Sequence, residues 1–129
     1  MTRLLGIDYG EKRIGLAIAD SKMKLAVPLE IIENKGEDFV LEKLNEIVNR
    51  ESIEKIVVGM PISLSGKEEK QAEVVKQFVD WLKYNINVEV KTEDERLSTK
   101  MVESLAKDKK VEKDAVAAMI ILQSYLDKL

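Results

Sequence analysis

Two short apolar runs separated by a tight polar turn open the chain, and they constrain its fold more than any other stretch. Leu4, Leu5 and Ile7 are strand formers, and beyond Asp8-Tyr9-Gly10 the residues Ile14, Leu16 and Ile18 alternate with Gly15, Ala17 and Ala19. Strand-forming residues on both sides of a three- or four-residue turn predict an antiparallel hairpin with Asp8 at its rim. Gly6 leaves open backbone beside Asp8, Gly10 permits a positive φ, and Gly15 removes a side chain that would crowd the acid. Taken alone, Asp8-Tyr9-Gly10 reads first as a plain turn. The rest of the chain argues for more.

Leu25 to Ile32 reads as a third strand, with Pro28 confining it to a sheet edge. After Asn34-Lys35-Gly36, apolar residues at Phe39, Val40, Leu44, Ile47 and Val48 recur at helical spacing. Ile53 to Gly59 is a continuous apolar strand of the kind covered on both faces. A loop over Met60 to Gly66 leads to a second amphipathic helix through Val74, Val75, Phe78, Val79 and Leu82, stopped by Asn85 and Asn87. Val88 to Thr92 alternates as a fifth strand ending in Glu93-Asp94-Glu95-Arg96, Ser98 or Thr99 can cap a short helix to about Ala106, and a last helix runs from Val111 with an apolar, buried centre over Ala115 to Leu122. Right-handed crossovers then predict an α/β fold with a five-stranded mixed sheet: strands one to three antiparallel, strands four and five parallel to strand one, and helices on both faces. Ligands of such sheets gather at the carboxyl ends of the parallel strands. Asp8, Gly59-Met60-Pro61 and Asp94-Glu95-Arg96 all fall on that rim.

The chain has 129 residues, 45% of them apolar, which suits a single domain spanning 1–129 that buries about two thirds of its unfolded surface. No apolar run approaches a membrane span, and Met1-Thr2-Arg3 enters a strand without a signal-peptide core, so a cytoplasmic protein without membrane partners is expected. Cysteine and histidine are both absent, which excludes disulfides, thiolate nucleophiles, the serine–histidine triad and most transition-metal sites. Carboxylates, Lys, Arg, hydroxyls and hard divalent cations remain as chemical tools. A net charge of −3 argues against gripping nucleic acid by bulk positive charge, though it leaves room for a local basic track.

Asp114 is a third acid of interest, because positions 114, 118, 121 and 125 share a helical face and the other three are Ala118, Ile121 and Tyr125. An acid in a first turn answers the helix dipole; it can also be carried across the rim to join Asp8 and Glu95. Three converging acids without His or Cys suit Mg²⁺ or Mn²⁺.

Four separated blocks carry a family resemblance across almost the whole chain. They are Gly6-x-Asp8-x-Gly10-x-x-Arg13-x-Gly15-x-Ala17, Val58-Gly59-Met60-Pro61 with Gly66, Asp94-Glu95-Arg96-Leu97-Ser98-Thr99, and Asp114-x-x-Ala117-Ala118-x-x-x-Leu122-Gln123-x-Tyr125-Leu126. In these the chain resembles the YqgF/RuvX family of small bacterial proteins with the RNase H-like fold, described as pre-16S rRNA nucleases or as Holliday junction resolvases. The resemblance implies that Asp8, Glu95 and Asp114 are metal-binding catalytic acids in a Mg²⁺- or Mn²⁺-dependent hydrolysis of phosphodiesters, with precursor rRNA or branched DNA as substrate. It makes Arg13 and Arg96 candidates for substrate phosphate, the alternative being ion pairs with Glu95 or Asp94. Gly10, Gly59 and Pro61 become candidates for positioning substrate backbone, the alternative for Gly59-Met60-Pro61 being a tight strand-to-helix turn. Two departures stand out: many relatives of the wider RNase H-like group have an acid where this chain has Gly59-Met60-Pro61, which leaves one or two metals open, and only Lys107 to Lys113 stands where the family has a longer basic segment.

Two other classes share features with the chain. Actin-like and sugar-kinase ATPases use a similar Asp-x-Gly hairpin, but they close two such domains over the nucleotide and 129 residues supply one, so no nucleotide cofactor is expected. A nucleic-acid- or ribosome-binding module without turnover is the other. A junction resolvase is expected to be a homodimer, whereas an rRNA nuclease works as a monomer or homodimer.

Overall fold

Alternation along the strands sorts their side chains onto two faces, and each face is covered by its own helices. The computed structural model describes residues 2–61, 66–95 and 113–129. Its elements are β1 (Arg3–Asp8), β2 (Arg13–Asp20), β3 (Leu25–Glu33), α1 (Glu37–Glu51), β4 (Ile53–Pro61), α2 (Gly66–Asn85), β5 (Glu89–Glu95) and α3 (Lys113–Asp127). The strands form one sheet in the order β3-β2-β1-β4-β5, antiparallel among the first three in sequence and parallel for β1–β4 and β4–β5. This is the predicted topology. The expected short helix over 98–106 and most of the lysine cluster lie outside the described residues.

Leu5 and Ile7 of β1, Ile14 and Leu16 of β2, and Ile56 and Val58 of β4 point to one face, where they meet Val40, Leu44 and Ile47 of α1 and Val75, Phe78, Val79 and Leu82 of α2. The intervening residues Leu4, Ala17, Ala19 and Val57 point to the other face and pack under Ala118, Ile121, Leu122 and Leu126 of α3. Both faces of β4 are therefore filled, as its unbroken apolar sequence requires. Each fully buried Leu or Ile contributes about 1.5–3 kcal/mol. The sheet is held from both sides.

Pro28 sits on the edge strand β3, opposite Ala17, at a register shift between Leu16 and Ala17. An edge position spares the missing N–H a partner, and the bulge absorbs the ring. The segment Gly59-Met60-Pro61 departs, in its last two residues, from the loop expected over Met60 to Gly66. It is the end of β4, paired with Glu93, Asp94 and Glu95, so β5 also runs to Glu95 and not only to Thr92. Parallel pairing continues to the rim and stops at Pro61, the last residue of β4, which has no N–H to donate.

Candidate active site

Asp8 ends β1 and Glu95 ends β5, and between the two strands lies Gly59 of β4. Leu4 faces α3, so by period-two alternation Gly6 and Asp8 do too. Glu93 bonds Ser124 and Lys128 at the far end of α3, which puts Glu93, and two residues on Glu95, on that same face. A Cβ built on Gly59 would lie 3.2 Å from Glu95 Oε2 and would overlap Ile121 Cδ1. The Glu95 carboxylate therefore lies back over Gly59, toward Asp8.

The third acid arrives through another glycine. Gly15 is the cross-strand partner of Asp8, and a Cβ on it would overlap the carbonyl oxygen of Asp114. Only a bare backbone lets the first turn of α3 come this close, and it brings Asp114 beside Asp8.

The electrostatics record the convergence. The Asp8 carboxyl is pushed up from 3.8 to about 8, first by burial and then by the negative charges of Glu95 and Asp114. Burial also raises the Glu95 carboxyl. Withdrawal from water penalises the charged form, and like charges add to the penalty. Among the described residues no three His, Cys, Asp or Glu side chains stand in an arrangement that could hold a metal ion, and Asp114 Oδ2 accepts a 2.8 Å hydrogen bond from Arg13 Nε. An all-oxygen donor set crowded with negative charge has the chemistry that hard divalent cations take.

The other expected residues are placed as follows. Arg13 pairs with Asp114, because Arg13 starts β2 under the first turn of α3. Asp94 lies one residue from Glu95, so its side chain leaves the opposite face of the sheet. Arg96 lies outside the described residues. Gly10 forms the hairpin turn, where a Cβ would overlap the Arg13 carbonyl oxygen. Gly59 makes room for Ile121 and Glu95, and Pro61 closes β4 opposite Glu95.

Asn34 was not among the expected residues. Its Nδ2 donates to Gly10 O at 3.0 Å and to Tyr9 Oη at 3.1 Å, while its backbone N–H donates to Lys12 O at 2.9 Å. It ties the end of β3 to the loop that carries Asp8. In sequence it reads as a chain breaker, and its partners stand 24 and 25 residues away. No helix among the described residues is long and apolar enough to cross a membrane.

Known proteins resemble the chain over almost its full length. The family described as "RuvX: Holliday junction resolvase" matches residues 2–128. A candidate pre-16S rRNA nuclease of Sulfurihydrogenibium sp. (strain YO3AOP1) is 41% identical, with 100% of this chain and 92% of the relative covered. One from Dictyoglomus thermophilum is 39% identical over 97% of this chain and 95% of its own. Among solved structures, T. thermophilus RuvC in complex with Holliday junction substrate aligns with a TM-score of 0.58 at 14% identity, covering 99% of this chain and 95% of that one. The fowlpox virus resolvase with Holliday junction DNA gives 0.56 at 12% identity over 98% of each chain. At such identities the likeness is one of fold, the RNase H-like fold. The near-full-length family match and relatives of about 40% identity lead to one conclusion: the chain belongs to the RuvX family.

Proposed function

We propose that this protein is a divalent-cation-dependent nuclease that hydrolyses phosphodiester bonds and processes the 5′ end of precursor 16S rRNA in the cytoplasm. The observation that carries the reading is the placement of Asp8, where burial and two neighbouring carboxylates press on one acid at the carboxyl rim of the sheet. Full-length relatives named as candidate pre-16S rRNA nucleases support the choice of substrate. Asp8, Glu95 and Asp114 hold Mg²⁺ or Mn²⁺ in this reading. When bound, an ion of this class makes water nucleophilic and offsets charge on the departing oxygen.

The chain's own residues do the rest. Asp8 gives up its proton when the site is loaded, since its charged form is then stabilised and no longer penalised. Arg13 leaves Asp114 and turns to a substrate phosphate, which a guanidinium meets with paired hydrogen bonds. That exchange costs little because Arg13 is 61% exposed, and an ion pair this open is worth about 0.2–1 kcal/mol. Gly59 and Gly15 keep the floor of the site free of side chains.

A second reading, cleavage of branched DNA, is favoured by the family's description and by the fold shared with two junction resolvases. Symmetric cutting then calls for a two-fold dimer. The deciding assay compares the wild type with Asp8→Asn in Mg²⁺ or Mn²⁺ on precursor rRNA and on four-way junctions. Loss of rRNA cleavage in the variant is the expected result. Equal cleavage by both proteins would trace the cutting to a contaminant and end the proposal.

A further inference from the structure

Directly behind the acid site lies a cleft that the hydrolysis does not use. It has a volume of about 180 Å³ and is lined by Tyr9, Phe78 and Trp81, with Asn34, Glu37 and Gln77 among its polar residues. Asp8, the last residue of β1, faces α3, while Tyr9 beyond the strand packs on Phe78 in the cluster under α1 and α2. The two sites stand back to back across the end of β1, reached by the consecutive residues Asp8 and Tyr9.

The aromatic wall is continuous. Tyr9 and Phe78 stack with centroids 4.2 Å apart and planes inclined by 27°, and Phe78 meets Trp81 at 5.8 Å and 32°. Asn34 fixes Tyr9 through its hydroxyl. Trp81 is only partly buried, while Phe78 behind it is 7% exposed. The space is smaller than the roughly 300–1,000 Å³ of drug-sized pockets, which leaves room for one small planar group. Glu37 disfavours a phosphate or other anion there. Carboxylate and amide side chains are instead suited to the edge of a neutral heterocycle, as Glu and Gln are when they meet cytosine and adenine.

We propose that this cleft is a nucleobase subsite: it takes one unpaired base of the strand being cut, stacked on Trp81 and Tyr9 and met at its edge by Gln77, Glu37 and Asn34. The inference rests on the nuclease reading and adds to it a requirement for unpaired nucleotides beside the scissile bond. A base locked in a duplex cannot leave its neighbours to enter the cleft without a cost in stacking and pairing. Single-stranded substrate is therefore preferred.

Trp81 is the chain's sole tryptophan, so its fluorescence reports directly on the cleft. The test titrates the full chain, in chelator to prevent cutting, with a short labelled single-stranded RNA, the same RNA with abasic positions, and a blunt RNA duplex. Quenching of Trp81 by the first alone is expected. Label anisotropy should then show Trp81→Leu binding the single strand about tenfold more weakly, a loss in the range measured for base–aromatic stacking, and the exposed Gln77→Ala about fivefold more weakly, the loss of one hydrogen bond at the base edge, with duplex affinity unchanged in both. Gln77→Ala keeps the test decisive should Trp81→Leu fold poorly. No quenching, or single-strand affinities equal to wild type in both variants, overturns the subsite. A parallel assay of wild type and Asp8→Asn in Mg²⁺ separates the two failures: loss of cleavage in Asp8→Asn then leaves the nuclease reading standing without the subsite. A wild type that neither binds nor cuts RNA overturns both.

Discussion

Asp8 is an acid whose fold works against its charge. Because its folded pKa is about 8 against an ordinary 3.8, the native state keeps a proton that the unfolded chain has lost across that interval. Stability therefore falls as pH rises from about 4 toward 8, by up to about 1.4 kcal/mol per unit, and levels off above. Asp8→Asn removes this slope. In metal-free buffer its melting temperature should rise above that of the wild type increasingly with pH, while cleavage falls by more than the 10- to 100-fold typical of losing an outer-shell partner. Arg13→Gln should behave in the opposite way, shifting stability by less than about 1 kcal/mol because the pair with Asp114 is exposed, yet weakening substrate binding, measured as a raised KM. Asp8 and Glu95 were legible in the sequence because each closes a strand, and Asp114 because it continues a helical stripe. The partners of Arg13 and Asn34 were not, since 101 and 24 residues separate donor from acceptor and no local pattern encodes them.

α3 is the element that makes the site, and glycines in the sheet set how closely it lies. At Gly6 a Cβ would come within 2.8 Å of Leu122 Cβ and 2.9 Å of Ala118 O, and at Gly15 it would overlap Asp114 O. Gly6→Ala and Gly15→Ala should each cost about 1–3 kcal/mol by overpacking, read from denaturant midpoints. Their effects on cleavage should part. Gly15→Ala pushes Asp114 off the rim and loses activity, whereas Gly6→Ala meets the middle of the helix and keeps most of it. The far end of α3 is held by Glu93, 5% exposed, which accepts from Lys128 Nζ at 2.6 Å and Ser124 Oγ at 2.8 Å. Lys128→Met leaves that buried carboxylate underpaired and should cost about 1–3 kcal/mol with little effect on cleavage at saturating substrate. Gly15 was readable as making room beside Asp8. Gly59 was not, because a Gly-Met-Pro run looks like a loop until its pairing with β5 is known.

For the whole molecule, the order and direction of the strands followed from element order and crossover handedness alone. What that reasoning could not reach is the cleft at Tyr9 and Trp81, since its walls come from the turn after β1, the end of β3, α1 and α2, and no sequence window contains them. A net charge of −3 gives the molecule no bulk positive field, which leaves phosphate contacts to local residues such as Arg13. Binding to single-stranded RNA should accordingly weaken with salt along a shallow line, with a logarithmic slope of about −1 to −2, where six to ten contacts would give several times that. All of this turns on whether the carboxyl rim gathers a cation. An anomalous difference map from a crystal soaked in Mn²⁺ answers that most directly. The expected result is density in contact with the carboxylates of Asp8, Glu95 and Asp114, with Arg13 withdrawn from Asp114; a map without density there, at Mn²⁺ concentrations that support cleavage in solution, would contradict the account.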